Sequence, residues 1–239
     1  MRGPVALEVK RTLDVVGAAA GLVVLAPILA ATAVAVRVTL GSPVLFRQAR
    51  PGLGGHPFTI FKFRTMREPR PDEVWYLTNE QRLGRLGRFL RATSLDELPE
   101  LWNVLRGEMS LVGPRPLLVH YLETYTPEEA RRHDVRPGIT GWAAVNGRHA
   151  IRFKERLALD VWYVDHWSLG LDLQILARTL AQVLARKDVT TTEDLSLGFP
   201  LPPPPTARAR RSDEAPCPRR GDPGRARRVA LPLGALARA

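Results

Sequence analysis

Val15–Val36, VVGAAAGLVVLAPILAATAVAV, runs for 22 residues without a charged side chain. As one continuous helix rising about 1.5 Å per residue it would be roughly 33 Å long, enough to cross the hydrocarbon core of a bilayer. Pro27 lies near its middle. It removes one helical hydrogen bond and clashes with the preceding turn, so a kink is expected there. Eight of the 22 residues are alanine, which leaves the stretch only weakly apolar. It is too long for the apolar region of a signal peptide. Lys10 and Arg11 precede it while Arg37, Arg47 and Arg50 follow, and basic flanks on both sides are best satisfied with both ends in the cytoplasm. The residues leave two readings open: a single kinked span, or a helix-break-helix hairpin dipping into one leaflet.

Beyond this segment, the 239 residues and 45% apolar content support one domain of ordinary size with an appendage. The single cysteine, Cys217, rules out an intrachain disulfide and fits a cytoplasmic setting. The net charge of +11 invites a nucleic-acid reading, but the charge is spread along the chain. Residues 200–239 hold nine arginines against three acids, and the rest of the chain is mildly basic, with 26 basic residues against 21 acidic. A basic body with a basic tail equally suits an anionic membrane surface. Nine prolines in the tail leave too little apolar area to offset chain entropy, so disorder is expected for 200–239.

Pro43–Gln48 and Phe58–Met66 are short apolar, β-branched runs around the Gly-rich stretch Arg50–Pro57, and they predict a small hairpin. The loop is not a P-loop, since no Gly-Lys-Ser/Thr follows it. Arg67–Leu83 reads as loop or short helix. Gly84–Arg91 alternates Leu86, Phe89 and Leu90 with Arg85, Arg88 and Arg91, the pattern of a short basic amphipathic helix that could lie among headgroups and present one arginine inward. His120–His133 reads as helical, and Leu98, Leu101, Trp102 and Leu105 as a core-facing stripe. Leu169–Arg186 is an amphipathic helix with Leu173, Leu176, Leu180 and Leu184 on one face. The aromatics of Asp160–Trp167 suit an interfacial belt or a core equally.

The chemistry concentrates around Ser94-Leu95-Asp96-Glu97-Leu98-Pro99, between the arginines of 85–91 and the turn Gly113-Pro114-Arg115-Pro116. Adjacent carboxylates within reach of several arginines can serve phosphate chemistry, because guanidinium forks match phosphate oxygens while a carboxylate holds Mg²⁺ or attacks phosphorus. A D-E pair can equally be no more than a helix start, where acids are favoured. Ser94 and Glu97 fit a capping box; alternatively Pro99 opens the helix and the acids fall just ahead of it. In both registers the helix field is expected to keep Asp96 ionised. Prolines 114 and 116 restrict the backbone around Arg115, holding it with little entropy left to lose. The five histidines lack metal-ligand spacing and no Ser-His-Asp set stands out, so zinc and acyl-transfer chemistry have little support.

The string Arg91-Ala-Thr-Ser-Leu-Asp96-Glu97-Leu-Pro-Glu100-Leu-Trp-Asn103 through Gly113-Pro-Arg115-Pro116 closely resembles the signature of the bacterial sugar transferases, the monotopic polyprenyl-phosphate phosphoglycosyl transferases. Lys62-Phe63-Arg64-Thr65-Met66, Pro137-Gly138-Ile139-Thr140-Gly141 with Asn146-Gly147-Arg148, and Asp160-Val-Trp-Tyr163 with Ser168-Leu169 match further motifs, so the likeness runs from about Lys10 to Asp194. Two departures, Glu100 and Ala144 where that family commonly has glutamine, each remove an amide.

The resemblance implies a mainly α fold with a small β-hairpin: a re-entrant membrane hairpin over 1–40 and a cytoplasmic α/β catalytic domain with interfacial amphipathic helices over 41–199. The tail 200–239 lies beyond the resemblance and is assigned no catalytic role. It implies transfer of a sugar 1-phosphate from a UDP-sugar to polyprenyl (undecaprenyl) phosphate at the inner face of the cytoplasmic membrane, through an aspartyl-phosphosugar intermediate. Asp96 would be the nucleophile and Glu97 the Mg²⁺ ligand. Lys62, Arg91 and Arg115 would bind phosphate, and Arg136, Gly138, Asn146 and Arg148 would contact the nucleotide sugar. No residue identifies the sugar, though the likeness to small single-domain members points to N-acetylated, diamino-type UDP-sugars. No nucleic-acid partner is expected. The alternative is a membrane-anchored, non-enzymatic protein that binds anionic lipid or nucleic acid through its basic tail.

Overall fold

A computed structural model describes residues 3–70, 79–147 and 151–185. The expected disorder of 200–239, Arg148 and residues 71–78 of the 67–83 stretch lie outside the described residues. Described elements are mostly helical, with one antiparallel hairpin and one short parallel strand pair.

Two helices open the chain, α1 (Pro4–Val24) and α2 (Ala26–Leu40), bent by 63° across Leu25. Proline explains the break. Pro27 falls in the first turn of α2, where a missing N–H costs nothing because the first amides of a helix lack intrahelical partners. Among the described residues no single helix is long and apolar enough to cross a membrane, whereas the bent pair passes that test of length and composition jointly.

The lower half of α1 is bolted to the rest of the protein. Arg11 donates to the carbonyls of Val104 and Leu105 at 2.8 and 3.1 Å, and Asp14 accepts from the Leu111 amide. Lys10 Nζ lies 2.6 Å from Asp172 and 3.1 Å from the Val112 carbonyl. Lys10 and Arg11, read from the sequence as basic flanks of the apolar segment, are paired within the protein. The reason is that partly buried polar groups must be paired. Further up, Ala18 packs into the core formed by Ile60, Leu101, Val104 and Met109, while Val16, Val23, Val24, Val34 and Val38 remain exposed.

Strands β1 (Leu45–Pro51) and β2 (Pro57–Phe63) pair antiparallel from Leu45 against Phe63 to Pro51 against Pro57, as the alternating runs predict. A short helix α3 (Asn79–Arg82) precedes α4 (Arg85–Ala92), which buries Leu90 and Gly87 and leaves Phe89 exposed. A Cβ on Gly87 would stand 2.0 Å from the Thr65 carbonyl, so only glycine lets α4 lie this close to the end of β2. Helix α5 (Glu100–Arg106) follows, buried through Leu101 and Val104; Trp102, expected in the same apolar stripe, is about half exposed at 52%.

Strand β3 (Ser110–Val112) pairs in parallel with the later β4 (Gly138–Thr140). The region between does not form the single helix expected for 120–133. It divides into a 3₁₀ stretch (Val119–Thr124), α6 (Pro127–Ala130) and a second 3₁₀ stretch (Arg131–Asp134). Pro127 is the cause: it cannot continue a helix but opens one, here behind a capping box of Thr126 and Glu129. Helices α7 (Trp142–Gly147), α8 (Phe153–His166) and α9 (Leu169–Ala185) complete the described residues. Helix α9 turns Asp172 and Ile175 inward, with Thr179 half-buried and bonded to Thr140, and leaves Leu173 and Leu180 exposed, so its leucine face is not the buried one. In α8, Tyr163 is core and hydrogen-bonds Asp172, whereas Trp162 is partly exposed and stacks on Trp142 and His166.

Candidate active site

The site forms where β2, the turn before α5 and the loop after β3 meet. After α4 the chain reverses through Ser94 in the left-handed region (φ 55°, ψ 19°) and enters a 3₁₀ turn, Leu95–Glu97. Such a conformation costs a non-glycine residue about 1 kcal/mol and persists only where its surroundings impose it. Ser94 makes no capping hydrogen bond, so the capping box read from S-x-x-E does not form. The second register holds: Pro99 caps α5 and the acids stand just before that helix.

Asp96 is 8% exposed, and among the described residues no group hydrogen-bonds its carboxylate. Burial, reinforced by Glu97, raises its pKa to about 6, with Lys62, Arg91 and Arg115 pulling the other way. The helix field expected to favour the ionised form is thus outweighed by desolvation, although Asp96 is still largely ionised above pH 7.

Glu97 contrasts with it. One oxygen, Oε1, accepts from Lys62 Nζ at 2.7 Å and from Arg115 Nη2 at 2.5 Å. Burial alone would raise this carboxyl, but the two cations hold it well below the usual carboxylate range. Lys62 also lies 3.0 Å from Glu100 Oε1, on the first turn of α5. Glu100 is 1% exposed; burial, with Glu97 adding, lifts it to about 7 against the pull of Lys62. Lys62 is therefore shared between two carboxylates, and the residue read as the loss of an amide supplies a third acid. Arg91, on α4, donates to Thr65 Oγ1 at 3.1 Å and contributes to the field at Asp96.

Asn103 holds these elements in register. From α5 it donates to the Thr59 carbonyl at 2.7 Å and accepts from the Phe61 amide at 3.1 Å, gripping β2 on either side of Ile60, two residues before Lys62. The sequence reading quoted Asn103 but gave it no role; an amide inside the signature string, on the buried side of a short helix, was the available signal.

Asp96, Glu97, Lys62, Arg91 and Arg115 thus converge as read from the sequence. Of the proposed nucleotide-sugar contacts, Arg136, Gly138 and Asn146 bond elsewhere among the described residues, and Arg148 lies outside them. Arg136 donates to the Gly107 carbonyl, and Asn146 bonds the Trp142 carbonyl and Arg178. Gly138 gives its amide to Pro114, and a Cβ there would stand 2.0 Å from the Gly113 nitrogen, which makes it a packing glycine of the β3–β4 pair.

Among the described residues no group of three or more His, Cys, Asp or Glu is arranged to hold a metal. The donor set suits only a hard cation that takes one or two carboxylates and completes its shell with water and phosphate oxygens, the habit of Mg²⁺. Asp96, which accepts no hydrogen bond from the described residues, and Glu97 carry the oxygens that could serve it. Chemically, the arrangement offers one buried, unbonded carboxylate beside three cations, fitted to attack or bind a phosphoryl group.

A sequence model described as bacterial sugar transferase matches residues 5–186. The chain is 50% identical over 187 residues to the uncharacterized sugar transferase EpsL of Bacillus subtilis, a match covering 78% of this chain and 93% of that protein. It is 46% identical over 185 residues to the UDP-glucose:undecaprenyl-phosphate glucose-1-phosphate transferase of Caulobacter vibrioides, covering 73% and 69%. A protein of the same name from Escherichia coli is 39% identical over 188 residues, covering 74% of this chain and 40% of the longer relative.

Proposed function

The chain belongs to the bacterial sugar transferase family, and from that premise we propose that it transfers a sugar 1-phosphate from a UDP-sugar to polyprenyl phosphate through a covalent intermediate on Asp96. The observation that carries this reading is the unbonded, buried Asp96 carboxylate next to a neighbour fixed by Lys62 and Arg115. An Asp96 oxygen attacks the phosphorus attached to the sugar. The bond from that phosphorus to the bridging oxygen breaks, and UMP departs with the oxygen. A phosphate oxygen of the lipid then attacks the same phosphorus, the aspartyl bond breaks, and polyprenyl-diphosphate-sugar forms while Asp96 regains its charge. Lys62, Arg91 and Arg115 spread positive charge around the phosphoryl oxygens where charge gathers. Glu97 fixes Lys62 and Arg115 and, with Asp96, would hold Mg²⁺. When bound, that ion would neutralise charge on the diphosphate.

In this reading the bent pair α1–α2 is the membrane element of 1–40, and the fold of 41–199 is carried beneath it on the cytoplasmic side. A re-entrant hairpin would bring the site to headgroup height, where a lipid phosphate meets a soluble nucleotide. The names of the relatives carry glucose, so UDP-glucose is the first donor to assay, with N-acetylated UDP-sugars beside it. UMP release that requires both polyprenyl phosphate and Mg²⁺ supports the proposal. No release from any UDP-sugar, with retained binding of anionic vesicles through the tail, would favour the non-enzymatic alternative.

A further inference from the structure

Between Pro114 and Pro116 the backbone carries three carbonyls, and each accepts a hydrogen bond from a different part of the fold. Gly138 donates its amide to Pro114 at 3.0 Å, Arg132 Nη2 donates to Arg115 at 2.7 Å, and Arg50 Nη1 donates to Pro116 at 3.3 Å. The middle bond is built with unusual investment. Arg132 is 1% exposed and Asp160 equally buried, with Arg132 Nε and Nη2 both on Asp160 Oδ2 at 3.1 and 2.6 Å. Tyr125 lies beside the guanidinium, its hydroxyl 3.3 Å from Nη1. A guanidinium buried this deeply is tolerated only with its charge paired and its donors used. The donor left over from the aspartate is spent on the carbonyl of the residue whose own side chain reaches Glu97.

We infer that Arg132, held by Asp160, is a positioning residue for the reaction: by gripping the Arg115 carbonyl it aims the Arg115 guanidinium at Glu97 and the phosphoryl group. The inference rests on the reading of Arg115 as a phosphate ligand. Prolines on both sides fix their own dihedrals and restrict the residue before them, so the remaining freedom of Arg115 is rotation about its own backbone, which a bond to its carbonyl removes. A preorganised cation loses little entropy when phosphate arrives, and a small misplacement at such a site is costly. Arg132 acts from behind the site, through the peptide, and touches no reacting atom.

The test uses the full chain in detergent or nanodiscs. R132M alone would strand the Asp160 carboxylate, so the informative variants are R132K, which keeps charge without the fork, and the charge-balanced R132M/D160N. Thermal melting establishes that each is folded. With UDP-glucose or another accepted donor and polyprenyl phosphate, each should lower kcat at least about tenfold with a smaller change in KM. Placed on an R115A background, the same substitutions should change the rate by less than about twofold, because there is no guanidinium left to aim. An equal tenfold loss on that background would overturn the inference. A crystal structure of R132M/D160N decides it independently of turnover: Arg115 displaced from Glu97 supports it, and Arg115 retained at hydrogen-bond distance refutes it. If wild-type protein releases no UMP from any UDP-sugar, the transferase reading fails, while the structure of the variant still settles what Arg132 does to Arg115.

Discussion

Arg115 donates to the same Glu97 oxygen that receives Lys62, at 2.5 and 2.7 Å. One carboxylate thereby fixes two cations from separate segments, β2 and the loop after β3, and sets the spacing of both around Asp96. The opposite pKa displacements of adjacent residues follow from this: Glu97 monopolises the direct bonds, while Asp96 keeps burial and only through-space attraction. Glu97→Gln should fold, since its amide oxygen can still accept a hydrogen bond, but it removes the negative charge that anchors both cations. A loss in kcat of about 100-fold or more is expected. Activity within a few-fold of wild type, measured by UMP release, would show that the two cations need no anchor.

Asp96 sets the acid limb of the rate. As the attacking group must be ionised, kcat/KM should rise with pH and level off above its pKa of about 6. A limb near the ordinary aspartate value of 3.8 would mean that burial does not govern this carboxyl.

Glu100 should make stability depend on pH. Its folded pKa of about 7 lies above the ordinary 4.5, so the stability it contributes is full below about 4.5 and is lost as pH rises through about 7. A shift of this size corresponds to something on the order of 3 kcal/mol. Glu100→Gln cannot ionise and should melt several degrees above wild type at pH 8, with little difference at pH 5. Melting curves at the two pH values check the sign; a variant less stable than wild type at pH 8 would show that the charge of Glu100 is needed for its contact with Lys62.

Lys10 bolts α1 to α9 through Asp172, 162 positions away in sequence. Lys10→Met leaves that aspartate buried with Tyr163 and Trp167 as its remaining donors. A cost of about 3 kcal/mol is expected, because removing one member of a buried pair strands the other charge. Lys10→Met/Asp172→Asn should recover part of it. Melting of the single and double variants in one detergent measures both.

What the sequence disclosed depended on how local the cause was. The break at Pro27 and the β1–β2 hairpin follow from neighbouring residues, and both stand in the fold. Two registers stayed open at Ser94 because S-x-x-E looks the same whether the serine caps or turns left-handed, and in the fold Ser94 is left-handed ahead of a buried Asp96. The anchoring role of Lys10 and Arg11 was not legible because their hydrogen-bond partners lie 93 residues or more downstream. Helix α9 has a clear leucine stripe, yet it packs through Asp172 and Ile175, and only the position of Lys10 and Tyr163 explains why an aspartate faces inward. At the site, the signature string brought the acids and cations to attention. The buried Arg132–Asp160 pair behind Arg115 joins two residues 28 apart that carry no shared local pattern.

Covalent attachment of the sugar phosphate to Asp96 can be trapped. Purified wild-type protein is incubated with Mg²⁺ and a UDP-sugar labelled in the sugar, without lipid acceptor, then denatured and digested for mass spectrometry. Label should be retained on the peptide bearing Asp96, discharged on adding polyprenyl phosphate before denaturation, and absent from a folded Asp96→Asn preparation. Substantial turnover by Asp96→Asn free of aspartate, with no label on the wild-type peptide, would contradict covalent attachment and leave direct attack by the lipid phosphate.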